Sequence, residues 1–221
     1  MKMNKKLINY LGLTGLAAFL SYAAAVIFSP LAFPGYDRLA QAVSDLSAQD
    51  APSRMLWERL SAVYNACSVV CVTCVCIYVS QNKCFGKLMR IGIYLFSVMN
   101  WISKIGYSMF PLADSGKEIK GFQEVMHIVV TVPVVMLSIV SLVIIIIAGF
   151  RKNGEKALGI CALIALLMMF VGAIGTAAVP KEYFGVTERF SLFSAVGFNA
   201  VLGLYLFKGD KFSEGSANVN E

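Results

Sequence analysis

Val125–Phe150 reads VMHIVVTVPVVMLSIVSLVIIIIAGF, an apolar run of 26 residues without a single Asp, Glu, Lys or Arg. As a helix rising 1.5 Å per residue it extends about 39 Å, more than the roughly 30 Å hydrocarbon thickness of a bilayer. A soluble helix needs one apolar stripe, whereas this segment is apolar all round, as a membrane span must be. Five further stretches share the property: Leu7–Ser29, Leu60–Ser80, Ile91–Phe110, Ala157–Val179 and Phe190–Phe207. The six together take up more than half of the 221 residues. Composition agrees. Hydrophobic residues make up 58 % of the chain and charged residues 14 %, with a mean hydropathy of +0.71, against about 25 % charge in an ordinary soluble domain. The reading is an all-α, polytopic bundle of six membrane-spanning helices forming one domain over residues 1–207. The polar tail 208–221 reads as disordered.

The basic start Met1–Lys6 and the triplet Ala23-Ala24-Ala25 also resemble a signal peptide, but the apolar run continues through Val26-Ile27-Phe28, which suits a retained helix. Orientation follows from Lys and Arg near the span ends. With the amino terminus inside, the inner segments carry 11 basic and 4 acidic residues, a net +7, and the outer ones 8 and 9, a net −1. Both termini are therefore expected in the cytoplasm. The overall +6 then reflects topology, and no nucleic-acid partner is implied.

The long connections fall on the outer side: residues 30–59, 111–124 and 180–189. In the first, Tyr36, Leu39, Ala40, Val43 and Leu46 recur at helical spacing, which predicts a short amphipathic helix on the outer interface. Asp50 and Pro52 suggest that the second membrane helix begins outside the bilayer, near Ala51. The polar residues of the spans concentrate at the same end. Asn65 lies in the outer part of the second span, Asn100 and Lys104 in the third, His127 at the start of the fourth, and Glu188, Arg189 and Ser191 at the start of the sixth. The inner halves are almost wholly apolar. Polar side chains in a membrane face the bundle interior or a wet cavity, so the pattern predicts an outward-opening pocket with a dry floor. Ser44, Asp45, Asn65, Asn100, Lys104, Asp114, His127, Glu188, Arg189 and Ser191 are its expected lining. Lys104 is the costliest of them, and calls either for snorkelling to the interface or for an acid such as Glu58, Asp45 or Asp114.

His127 is the sole histidine. It suits a hydrogen-bonded helix start, a general base or a proton-sensing group. No repeated His spacing or H-E-x-x-H string suggests a metal, and no nucleotide fingerprint is present, so no cofactor is expected. Cys67, Cys71 and Cys74 fall at helical spacing and read as small packing residues. Gly172, Ala173, Gly175 and Ala177 give the fifth span a small-residue face for close packing.

The string Tyr36-Asp37…Gln41-Ala42-Val43-Ser44-Asp45-Leu46-Ser47-Ala48, the run Phe110-Pro111-Leu112-Ala113-Asp114, His127 opening a span and Glu188-Arg189-Phe190-Ser191 together resemble the domain-of-unknown-function 998 family. The resemblance implies a prokaryotic integral membrane protein of the cell membrane with about six helices and its signature residues outside. It implies no settled activity. Three functions stay open. The leading one is a pocket for a membrane lipid headgroup or small amphiphile, with Arg189 on an anionic group. The second is a hydrolase or transferase on a lipid or envelope precursor, with His127 as catalytic base, Asp45 or Asp114 orienting it, and Ser44 or Ser191 as nucleophile. The third is a small transporter or transporter subunit. The oligomeric state is not legible.

Overall fold

A computed structural model describes residues 6–82, 85–113, 121–151 and 155–209. The described residues contain helices and turns and no strand. Helices α1 (Leu7–Leu11) and α2 (Leu13–Phe28) follow one another across Gly12 and continue into a 3-10 turn at Ser29–Ala32, making one rod. Then come α3 (Arg54–Gln81), α4 (Lys87–Met109), α5 (Phe122–Phe150), α6 (Lys156–Ala178) and α7 (Phe184–Lys208). Among the described residues five stretches are long and apolar enough to cross a membrane: Leu7–Ala32, Arg54–Gln81, Phe122–Phe150, Lys156–Gly175 and Lys181–Lys208. Six were expected. The remaining helix, α4, holds the sixth place between α3 and α5, but Ser97, Asn100, Ser103 and Lys104 dilute its apolar character.

Each rod packs on the next along the chain, and α7 closes the ring by returning to α2 while also touching α3. α7 is the most enclosed of the five apolar spans. The first and last helices lie side by side at one end, where Asn9 Nδ2 donates to Leu206 O at 2.8 Å. Their approach is set by glycine. A Cβ on Gly203 would stand 2.3 Å from Gly12 O and 3.1 Å from Gly15 Cα, so only hydrogen side chains let the two backbones meet. The small-residue face of α6 is narrower than expected. Gly172 packs against Ser191 and Gly175 against Thr187 of α7, while Ala173 and Ala177 lie exposed on the opposite face.

The main core joins α3 to α7, with Phe96 and Phe198 edge-to-face at 5.1 Å and Ile145, Leu142, Leu158 and Leu202 fully enclosed around them. Cys71 and Cys74 are buried in it as free thiols, in line with a packing role. The core is less dry than the sequence suggests. Ser138, Ser141, Ser194 and Asn199 are buried there. Their side chains reach helix carbonyls, as in Ser194 Oγ to Ala165 O at 2.6 Å and Asn199 Nδ2 to Ser68 O at 3.3 Å, which is how a polar group survives in an apolar medium.

Two local expectations are corrected. In place of a short amphipathic helix over Tyr36–Leu46 there are turns and a 3-10 helix at Ser44–Ser47. Side chains take the backbone groups a helix would need: Asp37 Oδ1 accepts from Leu39 N–H, Gln41 Oε1 from Asp37 N–H, and Asp45 Oδ2 from Ala42 N–H. Such local bonds compete with the helical ladder. The second rod starts at Arg54, three residues after Ala51. Ser53 Oγ donates to Leu46 O at 2.9 Å, so the turn 51–53 belongs to the loop.

Candidate functional site

The polar residues gather at the end of the bundle that carries the loop 33–53, in two groups. The first joins that loop to the start of α7. Val186 N–H donates to Leu39 O at 3.2 Å, and Val43 N–H donates to Glu188 Oε2 at 2.5 Å. Arg189 then reaches three oxygens: Gly185 O at 2.5 Å, Gln41 O at 3.3 Å and the Tyr36 hydroxyl at 2.9 Å. Tyr36 passes its own proton on to Ala42 O at 2.7 Å. Adjacent residues of one helix thus hold opposite groups of one loop, the carboxylate an N–H and the guanidinium two oxygens. Asp45 is buried in the same loop, and Ser44 O accepts from Ser47 Oγ.

Burial pushes the Tyr36 phenol up to about 12, with the Arg189 guanidinium acting against the shift. The folded state therefore favours the protonated phenol. Its contribution to stability is complete below the unfolded value near 10 and is lost as pH rises through about 12. A spectrophotometric titration of wild type minus Tyr36→Phe is expected to show no phenolate from this residue below about pH 11. Phenolate already present at about pH 10 would mean that the phenol is not held in this network.

The second group lies across α3, α4 and α5. The Lys104 ammonium stands 3.0 Å above the Tyr64 ring and 3.3 Å from Asn65 Oδ1. No carboxylate lies within ion-pair distance of it among the described residues, and Arg54 and Glu58 pair with each other at 2.8 Å. Glu58, expected as a partner for Lys104, is committed to Arg54 one helical turn away. On α5, His127 Nδ1 is 2.9 Å from Phe110 O. A carbonyl can only accept, so Nδ1 carries the hydrogen and the lone pair of the neutral ring sits on Nε2. Tyr107 stacks on the imidazole at 4.9 Å and donates to Thr131 Oγ1 at 3.0 Å. Between the two groups Tyr22 packs on Trp57, Tyr64 and Phe193, and Glu188 is within electrostatic reach of Tyr22 and Tyr107.

The predicted lining is thus only partly assembled. Asp45, Glu188 and Arg189 meet in the loop, with Ser44 in the same 3-10 turn. Asn65 and Lys104 meet at the α3–α4 crevice. Asn100 donates to Phe96 O of its own helix, and Ser191 Oγ donates to Met169 O across the α6–α7 contact, so neither joins these two groups. Asp114 lies outside the described residues. Among the described residues His127 makes no hydrogen bond to Ser44, Ser191 or Asp45, and no group of three His, Cys, Asp or Glu able to hold a metal occurs there. A groove of about 420 Å³ runs along Ser97, Val98, Trp101, Ile102, Ile105 and Gly106 of α4, residues that flank Lys104 in sequence without including it. Tyr22, Tyr64 and Tyr107 stand beside these residues and are not in the expected lining.

The profile of a family described as protein of unknown function DUF998 matches residues 16–205. No curated protein matches the chain, and no solved structure does.

Proposed function

Because the chain belongs to the DUF998 family, whose description carries no activity, we propose a function from the polar end of the bundle: it binds a lipid headgroup or small amphiphile. The protein is then a multi-pass component of a prokaryotic cell membrane, with α4 as the sixth crossing, both termini cytoplasmic and the loop 33–53 outside. The excess of Lys and Arg on the opposite side supports that orientation. The observation that carries the reading is Lys104, a half-buried ammonium in a membrane helix whose contacts among the described residues are an aromatic face and one amide oxygen. A π face and an amide attract a cation but leave its charge uncancelled, and an anionic headgroup supplies the missing charge. Arg189, the anion receptor suggested by sequence, is instead occupied with the loop.

Native mass spectrometry of the gently purified protein tests this. Wild type is expected to carry a lipid- or amphiphile-sized adduct whose occupancy falls about tenfold in Lys104→Gln, the equivalent of one charge-assisted bond of roughly 1.5 kcal/mol. Equal occupancy in the two proteins would sink the reading.

A further inference from the structure

We infer that the occupant at Lys104 is an anionic glycerophospholipid with its phosphate on the ammonium and an acyl chain in the α4 groove. This rests on the headgroup-binding reading above and narrows it to one class. The argument begins with depth. Lys104 is five residues before the end of α4 at Met109, about 8 Å along the axis, a distance its flexible stem can span towards the headgroup level. An ammonium has three donors, and Asn65 takes one. The crevice is open, since Asn65 is exposed and Lys104 only half-buried.

The groove starts at the level of the same residue. Ile105 and Gly106 form its upper end and Ser97 its lower end, about 13 Å of helix running from the Lys104 level towards the other face. Val98, Trp101 and Ile105 are among its exposed side chains, so its walls are carbon apart from Ser97. Trp101, one of the lining residues, is held in place by Nε1 donation to Thr73 Oγ1 at 3.2 Å. A soluble anion would have no use for this channel, and an uncharged lipid no use for Lys104. A headgroup charge with a chain beneath it matches both. Lipid tails are as apolar as the groove itself, so the charge supplies selection and the groove supplies position.

The test uses the full chain in detergent micelles with two probes, phosphatidylglycerol and phosphatidylcholine, each carrying the same diazirine-bearing acyl chain. Phosphatidylglycerol is expected to label the α4 segment 98–105 about tenfold more than phosphatidylcholine. Lys104→Gln should bring it down to the phosphatidylcholine level. Ile102→Trp, which fills the groove without touching the ammonium, should move the label off α4 while the preference for phosphatidylglycerol persists. Equal labelling by both probes overturns the inference, as does full competition by glycerol phosphate at the lipid's own concentration. A phosphatidylglycerol adduct that needs Lys104 yet labels elsewhere overturns the groove and leaves the headgroup reading standing. Absence of any adduct in every sample removes both.

Discussion

A Gly203→Val protein is expected to unfold roughly 6–12 °C below wild type, a loss of about 3 kcal/mol for a chain of this size. The new Cβ would sit 2.3 Å from Gly12 O, 2.9 Å from Cys71 Sγ and 3.1 Å from Gly15 Cα. Two of those neighbours are backbone, which cannot swing aside as a side chain does. Relief requires α7 to separate from the first rod, and separation breaks the Asn9–Leu206 bond at the same crossing. Gly197, six residues earlier on the same helix, is the control. Its Cβ would meet a single atom, Phe19 Cε2, at 4.0 Å, so Gly197→Ala should be neutral or slightly stabilising through its better helix propensity. Thermal unfolding in one detergent, followed by size-exclusion recovery, compares the two. Equal melting of Gly203→Val and wild type would show that this crossing is not close-packed.

Arg189→Ala is expected to release the loop 33–53 while leaving the bundle folded. Two of the three bonds made by the guanidinium cross to the loop, at Gln41 O and the Tyr36 hydroxyl. Charge-assisted bonds are each worth roughly 1.5–3 kcal/mol, and partial exposure brings the pair down to about 3 kcal/mol. Local opening would then be about a hundredfold more frequent. Hydrogen exchange at the Ala42 and Val43 amides should accelerate by about that factor, while amides in the middle of α5 keep their protection. Arg189→Lys should recover less than half of the loss, because one ammonium cannot reach both oxygens. Glu188→Gln should matter less than Arg189→Ala, since its amide oxygen still accepts from Val43 N–H. Unchanged loop exchange in Arg189→Ala would mean that the loop is held by its own turns.

The helices were legible because a membrane imposes a crude rule: an apolar run of sufficient length must be helical. That rule weakens at α4, where polar residues interrupt the run. It is silent about residues 36–48, whose apolar spacing resembled a helix but whose Asp and Gln side chains capture the backbone instead. Lys104 stood out by its cost, yet its partners did not. Sequence reasoning looked for a carboxylate, and the structure supplies Tyr64 and Asn65, an aromatic face and an amide about two turns inward of the Glu58 that was expected. Asn199 carried no signal at all. It is a single polar residue between Phe198 and Ala200, and only the packing of α7 on α3 shows it bonded to Ser68. The adjacent Glu188 and Arg189 were visible as a charged pair, but the opposite backbone groups they hold belong to a loop about 145 positions earlier.

The ring closes through the contact of α7 with α2, and this orders the protein's biosynthesis. The first rod enters the membrane long before its seat on α7 has been translated, so Gly12 and Gly15 spend that interval without their α7 partner. The bundle is completed by its last helix, in one late step of high sequence separation. A ribosome that stalls anywhere before α7 releases an open horseshoe with its inner seam exposed, a ready substrate for membrane proteases.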